Sequence, residues 1–347
     1  MSLRSASVCA SWMAAMSLAA AVALAQQQAP PPVTPPSAPP AGSSVAPAAT
    51  TVAPPSSPSP APPPSPVSGM RNKIAAGDLL SAESILEVHR AEHGEDPAYL
   101  SGLSWLARGA LLVGDLEKAK RYAADVRVRC AEALARGATL EQDHVLEIAL
   151  GAAIEVEGQL IDRRHGPRKA AEHLRGELAT IRGPVALRSR LNKRINMLTL
   201  RGSAAPELAI EDSIGDPLPT LASLKGRPVV LFLWAEWCAD CKAQQAVLAR
   251  VRKRPSSDGV QFVALTRYYD EEDKRAAEKE RVDSVWKTAY ADLGPMPIVL
   301  STASMERYGG SSTPTFVFID RAGVVREYTP TRLTEAEFDR ALATIAR

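Results

Sequence analysis

Two cysteines separated by two residues stand between a run of apolar residues and a helix-forming stretch, in the motif Trp237-Cys238-Ala239-Asp240-Cys241. A helix that begins at the first cysteine places its sulfur at the helix N-terminus, where free backbone N–H groups and the helix dipole stabilise a thiolate. The second sulfur follows one turn later, within bonding range of the first. The motif therefore predicts thiol–disulfide exchange, with Cys238 as the exposed nucleophile of low pKa and Cys241 as the resolving thiol.

Other chemistry for the same thiols has less support in the sequence. Two thiolates could bind a metal such as copper, but no histidine follows His173, which excludes a Cys/Cys/His site and a Cys/His catalytic pair in this part of the chain. His89 and His93 can share a helix face, yet they have no third ligand nearby. We therefore expect no metal and no bound cofactor.

The elements that must hold the cysteines alternate between strands and helices. Pro228 to Trp234 is a continuous apolar run, as expected for a strand buried on both faces. Further strands are predicted at 260–265, 298–300, 315–319 and 324–328, with helices from the second cysteine to about 254, over 271–291 and after a capping box formed by Thr334 and Glu337. This order predicts an α/β domain with a mixed sheet and flanking helices.

Three segments of this region carry a family resemblance. They are Leu224-Lys225-Gly226-Arg227-Pro228-Val229-Val230, which leads into Trp234 to Lys242; Tyr308-Gly309-Gly310-Ser311-Ser312-Thr313-Pro314-Thr315-Phe316; and Ile319-Asp320-Arg321-Ala322-Gly323. From about Ala205 to Arg347 the chain resembles the thioredoxin-like superfamily, specifically exported thiol–disulfide oxidoreductases of the TlpA/ResA type. The resemblance implies that Pro314 is a cis-proline beside the disulfide, and that the Thr313 backbone faces the site and pairs with an extended substrate. It also implies that 270–300 is a helix and strand added to the basic fold.

The chain also departs from the resemblance near the cysteines. Thioredoxins have a buried carboxylate where this chain has Phe232, so Cys241 must lose its proton to water or to Glu236. The usual proline before the second cysteine is Asp240, whose charge favours the helix but opposes a thiolate at Cys238. The direction of electron flow therefore stays open. With Trp237 beside the first cysteine, we take Glu236, Trp237, Cys238 and Cys241 as the candidate catalytic residues, and Thr313 and Pro314 as substrate-binding.

The middle of the chain is predicted to be helical. Gly77-Asp78-Leu79 is echoed by Gly114-Asp115-Leu116, which is similar to tetratricopeptide repeats, in which glycine makes the turn between paired helices. Such a domain either offers a groove to a peptide or partner protein, or only packs. Six basic residues between Leu178 and Pro206 (Arg182, Arg188, Arg190, Lys193, Arg194 and Arg201) give a positive face, which is either solvated or a site for an acidic partner. Cys130 is predicted to be buried.

The N-terminal part is predicted to be an address and a spacer. Arg4, the apolar stretch from Trp12 to Leu24 and the sequence Ala23-Leu24-Ala25 predict a cleaved signal peptide, with an uncleaved membrane anchor as the alternative. From Gln26 to Ser68 a Pro/Ala/Ser tract has no charged or aromatic residue, which predicts a disordered linker. The predicted domains are thus 1–25 (signal), 26–68 (linker), 69–202 (helical) and 203–347 (thioredoxin-like).

These observations favour one function over two others. A net charge of +2 argues against nucleic-acid binding. We expect a periplasmic or secreted oxidoreductase that reduces protein disulfides and is fed by a membrane electron donor, with a client or partner bound by the helical domain. The alternatives are an adaptor whose thioredoxin-like domain docks or senses redox state, and a metal-delivery module.

Overall fold

A computed structural model of the protein describes residues 65–215, 220–254, 257 and 259–346. The predicted signal peptide, and the predicted linker as far as residue 64, lie outside these residues. The first described helix begins at Val67, so the last two residues of the predicted linker belong to the helical region. Among the described residues, no helix combines the length and apolar character needed to cross a bilayer.

Seven helices form the first part of the described chain. They are α1 (Val67–Ala75), α2 (Leu79–His93), α3 (Pro97–Val113), α4 (Leu116–Ala135), α5 (His144–His165), α6 (Pro167–Thr180) and α7 (Val185–Thr199). Four begin at an aspartate whose carboxylate accepts the backbone N–H three residues later, namely Asp78, Asp96, Asp115 and Asp143. Such caps satisfy donors that the first turn leaves unpaired. The predicted helical region is thus confirmed, whereas its assignment to tetratricopeptide repeats stays a prediction.

Small residues allow these helices to approach one another closely. A Cβ atom on Gly102 would lie 2.5 Å from Leu86 Cδ1, and one on Gly158 would lie 3.0 Å from Leu174 Cδ2. Cys130 is fully buried in this core, as the sequence predicts, and burial raises the pKa of its thiol to about 12. This core is therefore packed too tightly for larger side chains at its helix contacts.

The second part of the chain is built on a six-stranded mixed sheet. Its strands are β1 (Asp212–Ile214), β2 (Val229–Leu233), β3 (Gln261–Thr266), β4 (Ile298–Leu300), β5 (Thr315–Ile319) and β6 (Val325–Thr329), in the order β1-β4-β3-β2-β5-β6. Strand β2 pairs parallel with β3 and antiparallel with β5, which makes it central, and all five of its residues are buried. β1 is absent from the sequence prediction because its three half-buried residues carry no strand pattern.

Helices cover the sheet on both sides. They are α8 (Ala239–Arg252), α9 (Arg275–Ala289), α10 (Thr302–Arg307) and α11 (Glu335–Ile345), and the predicted capping box of Thr334 and Glu337 begins α11. Because side chains alternate along a strand, Phe232 packs into one core with Phe316 and Phe338, and Leu231 packs into the other core. The predicted α/β fold with a mixed sheet and flanking helices is confirmed.

The last helix of the first part, α7, lies directly on α10 and the loop that follows it. Arg188 Nε donates to Glu306 at 2.8 Å, and Asn196 Nδ2 donates to the Arg307 carbonyl oxygen at 3.0 Å. The prediction of a solvated positive face is wrong for Arg190, which donates to Glu155, and for Lys193, which is 6% exposed. Their partners are distant in the sequence, so the run of basic residues gave no sign of them.

Candidate functional site

The two cysteines lie where the central strand passes into α8. Cys238 is the N-cap of α8, and its Sγ accepts the backbone N–H of Cys241 at 3.1 Å. The two sulfurs form a disulfide, with Cα atoms 5.2 Å apart. The same N–H remains available to stabilise a Cys238 thiolate after reduction. The local geometry is therefore suited to a low thiol pKa at Cys238.

Exposure of Cys238 is smaller than the sequence suggests. In the disulfide state this residue is 5% exposed and Cys241 is fully buried, so the expectation of an exposed Cys238 is wrong for this state. The physical reason is a loop from another part of the sheet, since the Thr313 carbonyl oxygen lies 3.4 Å from Cys238 Sγ. A partner disulfide must reach the sulfur past this loop.

That loop enters β5 through a cis peptide bond between Thr313 and Pro314. The Thr315 hydroxyl donates to the Ser312 carbonyl oxygen at 2.7 Å, which holds the turn just before the cis bond. Because the Thr313 carbonyl presents its lone pairs to Cys238, it disfavours a thiolate there, against the effect of the helix N-terminus. The reactivity of Cys238 thus depends on where this carbonyl is held.

Trp237 provides an exposed aromatic surface beside the disulfide. It is 56% exposed and packs edge-on against Tyr269, with ring centroids 5.5 Å apart. Arg267 lies over the other ring, 4.1 Å from the Tyr269 centroid. An exposed tryptophan next to a reactive sulfur can contact apolar side chains of a bound polypeptide.

Glu236 is partly buried and anchored at one oxygen. Its Oε1 accepts from Arg281 at 3.3 Å, while its Oε2 is buried without a hydrogen-bond partner in the described chain. Arg281 also donates to Asp270 at 2.7 Å. Phe232, at the position that carries a carboxylate in thioredoxins, is fully buried and stacks on Phe316 with centroids 5.2 Å apart. A role for Glu236 in deprotonating Cys241 stays a prediction.

Two further residues near the cysteines cannot be identified from the sequence alone. Gln244, buried one turn after Cys241, donates to the Leu333 carbonyl oxygen at 3.0 Å and accepts the Leu333 N–H at 2.8 Å. Arg332 Nε lies 3.5 Å from an Asp240 oxygen. This cation offsets part of the charge by which Asp240 opposes a thiolate. No local pattern identifies either pairing, because the partners are about 90 residues apart.

One group of side chains in the helical region has the composition of a metal site. Ligand atoms of Glu157, His173 and Glu177 lie within 4.8 Å of one another. Arg127, however, donates to both oxygens of Glu177, at 2.9 and 2.8 Å. The guanidinium therefore already supplies the positive charge that a bound cation would bring to this cluster.

Comparison with known proteins agrees with this geometry. A family model described as Redoxin matches residues 200–343. Thiol-disulfide oxidoreductase ResA of Bacillus subtilis is 30% identical over 137 residues, which cover 39% of this chain and 70% of ResA. The chain belongs to the ResA-type thiol–disulfide oxidoreductases. This confirms the family and the enzyme class that the sequence predicts.

Two more proteins are similar to part of this chain. Thioredoxin-like protein YneN of Bacillus subtilis is 24% identical to the oxidoreductase over 144 residues, covering 41% of this chain and 78% of YneN. A thiol:disulfide interchange protein of the thioredoxin family from Chlorobium tepidum is 24% identical. Its crystal structure has a TM-score of 0.33 and the match covers 42% of this chain and 97% of that one. The residues matched by the Redoxin model include both Cys238 and Cys241.

Proposed function

We propose that this oxidoreductase reduces disulfide bonds in exported client proteins, with Cys238 as the attacking thiol. The observation that carries the proposal is the position of Cys238 at the start of α8, where its Sγ accepts the Cys241 N–H at 3.1 Å. A hydrogen-bond donor and the positive end of a helix both favour the thiolate over the thiol. Cys241 is fully buried, which keeps it from competing for clients.

The reaction proceeds by two exchanges. The Cys238 thiolate attacks one sulfur of the client disulfide, that S–S bond breaks, and the released client thiolate takes up a proton. Cys241 then loses its proton and attacks Cys238 Sγ, which breaks the mixed disulfide and releases the second client thiolate, and this thiolate also takes up a proton. The client gains two electrons and two protons, and the enzyme is left with the Cys238–Cys241 disulfide. A dithiol donor must reduce that disulfide before the next turnover.

Proton removal from Cys241 needs an acceptor, since the thiolate is the attacking species. Phe232 cannot accept a proton, and it occupies the strand position that would otherwise supply a carboxylate. We assign the acceptor role to Glu236 or to water. In support, Glu236 has one buried carboxylate oxygen, Oε2, with no hydrogen-bond partner in the described chain.

Client binding is assigned to Thr313, Pro314 and Trp237. The Thr313 backbone lies beside Cys238 Sγ and can pair with an extended client segment. Trp237 offers exposed apolar surface to client side chains. The helical part, 69–202, is proposed to bind a client or partner protein.

Export and electron supply complete the proposal. The predicted signal peptide, 1–25, supports a periplasmic or secreted location, and the tract 26–68 supports a spacer between the membrane side and the folded region. Because each turnover consumes two electrons outside the reducing cytoplasm, a membrane protein is proposed as donor. Mass spectrometry of the N-terminal peptide of the exported chain should show a mature N-terminus at Gln26, and an intact N-terminus would instead indicate an anchor.

A trapping experiment tests the role of the two cysteines. In Cys241→Ser the second exchange cannot occur, so Cys238 should accumulate as a mixed disulfide with a model protein disulfide. Cys238→Ser is the matched control and should trap nothing. Absence of a mixed disulfide at Cys238 in the first variant contradicts the proposal.

The reduction potential tests the direction of electron flow. A value near that of thioredoxin, about −270 mV, agrees with a reductase. A value near about −120 mV, typical of a strong oxidant, would contradict that assignment and leave the disulfide as the form that acts on clients.

The second candidate function is an adaptor. Its thioredoxin-like domain would bind a partner protein or sense the redox state, without catalysing disulfide exchange. The observation that favours it is the low exposure of Cys238, 5%, beneath the Thr313 loop. An adaptor would bind partners equally well with both cysteines replaced by serine. An oxidoreductase would lose its mixed disulfides in the same variant.

A further inference from the structure

A buried lysine of the helical part contacts the loop that covers the disulfide. Lys193, on α7, donates from Nζ to Ser312 Oγ at 2.8 Å, although the two residues are 119 positions apart. Ser312 directly precedes Thr313, whose carbonyl oxygen lies 3.4 Å from Cys238 Sγ. The residue that the lysine contacts is therefore the immediate neighbour of the residue whose carbonyl faces the reactive sulfur.

The loop lies unusually close to α7 at this point. A Cβ atom on Gly309 would lie 2.4 Å from Lys193 Cα and 2.5 Å from its backbone nitrogen. Gly309 has a φ of 70°, which glycine adopts without strain. The loop backbone thus rests directly on the helix backbone, and the ammonium group of Lys193 holds the loop again three residues later.

Ser312 is held from two sides. Lys193 binds its hydroxyl, and the Thr315 hydroxyl donates to its carbonyl oxygen at 2.7 Å. Because the hydroxyl and the carbonyl of Ser312 are both hydrogen-bonded, the carbonyl of Thr313 has little freedom to turn away from Cys238. The helical part therefore sets the position of a group in the redox site.

The surroundings of Lys193 keep its side chain in place. Burial opposes its charge and lowers its pKa to about 8, while the carboxylate of Glu155 favours the charge. Arg190 and Arg194, on the same helix, oppose it. Arg190 is itself bound to Glu155, at 2.8 Å. Lys193 is thus part of a buried ionic network whose position is fixed by α5 and α7.

We propose that Lys193 is a positioning residue of the redox site: it holds Ser312 and thereby keeps the Thr313 carbonyl against Cys238. The inference rests on the proposed role of Cys238 as the attacking thiol. A carbonyl oxygen held near the sulfur disfavours the thiolate, so release of the loop lowers the pKa of the Cys238 thiol. Lys193 acts through the loop and does not contact the reacting atoms.

The test is the pH dependence of Cys238 alkylation by iodoacetamide in the reduced full-length protein, between about pH 4 and 8. Lys193→Met removes the donor of the hydrogen bond to Ser312. Ser312→Ala removes the acceptor of the same bond and leaves the charge of Lys193 in place. Arg194→Met is the matched control, because it removes a cation from the same helix without touching Ser312. Mass spectrometry assigns the label to Cys238.

If Lys193 positions the loop, Lys193→Met and Ser312→Ala should both lower the pH midpoint of Cys238 alkylation. The acid constant of the Cys238 thiol then rises by a factor of about three to ten in each, as for loss of one hydrogen bond. The double variant should change the acid constant no further than Ser312→Ala alone, because both substitutions break the same hydrogen bond between Lys193 and Ser312. Arg194→Met should change the acid constant of the Cys238 thiol by less than about a factor of two, the scatter expected for independent sites.

Two patterns of pH midpoints would overturn the inference. A raised midpoint in Lys193→Met with no change in Ser312→Ala would show a direct effect of charge. Unchanged midpoints in both would show a purely structural lysine. If Lys193→Met does not fold, Ser312→Ala alone decides the matter, since it leaves α7 intact. Wild-type Cys238 that resists alkylation throughout would overturn the proposed nucleophile together with this inference.

Discussion

Gly309 offers a quantitative test of the contact between the helical part and the redox site. Gly309→Ala adds a Cβ atom 2.4 Å from Lys193 Cα and 2.5 Å from its nitrogen. Both neighbours are backbone atoms of α7, so no flexible side chain can move aside. The substitution must therefore separate the loop from the helix as well as strain the residue.

A matched control separates the two effects. Gly323 has a φ of 81°, close to the 70° of Gly309, but nothing lies within 4 Å of a Cβ atom placed on it. Gly323→Ala should cost about 1 kcal/mol of unfolding free energy, the strain of a left-handed alanine. Gly309→Ala should cost the same strain plus the lost packing of α7 on the loop, which brings the total to about 4 kcal/mol, the range of severe packing defects.

Urea unfolding measures the difference. The midpoint multiplied by the slope gives the free energy for each variant, provided that the slope is unchanged. A changed slope in Gly309→Ala alone would indicate that the two parts of the chain unfold separately. Equal costs for the two variants would refute the close approach on which the argument depends.

Two more predictions concern buried groups that titrate. Burial opposes the charge of Glu155, but Arg190 and Lys193 outweigh it and hold its pKa at about 2, below the ordinary 4.5. Because its pKa is lower in the folded state, ionised Glu155 stabilises the fold above pH 4.5, and this stabilisation is lost as the pH falls toward 2. The free energy of unfolding should therefore fall less steeply with decreasing pH in Glu155→Gln than in wild type. Glu155→Gln should also lower the free energy of unfolding at neutral pH by about 3 kcal/mol, because it leaves Arg190 without its buried partner; an unchanged value in urea would contradict this. Cys130, with a pKa of about 12, should resist alkylation at pH 8 while Cys238 reacts, and should react only after unfolding; labelling of the folded protein at Cys130 would contradict its burial.

The fold of the redox domain was largely predictable because its signals are local. The apolar run ending at Trp234 predicted a doubly buried strand, and β2 is the central strand with every residue buried. The capping box at Thr334 is likewise present. The short edge strand β1 was not predicted, because three half-buried residues give neither an apolar run nor an alternation.

The surroundings of the site were harder to predict. The basic residues of α7 look solvated in the sequence, yet Lys193 is buried against Ser312, and Arg190 forms an ion pair with the buried Glu155. The exposure of Cys238 was overestimated because the Thr313 loop, distant in sequence, lies over it. Side-chain burial depends on which distant segments meet, and no local pattern records that.

The sequence by itself determined the chemistry: two cysteines at a strand-to-helix junction, in a chain whose family and enzyme class follow from its motifs. This is possible because the spacing of Cys238 and Cys241 and the start of a helix are local properties. Only the tertiary structure decided which groups adjust the reactivity of Cys238. The Thr313 carbonyl over the sulfur, Arg332 beside Asp240 and Lys193 under the loop are contacts between segments far apart in the chain, and they exist only because the sheet and α7 bring those segments together.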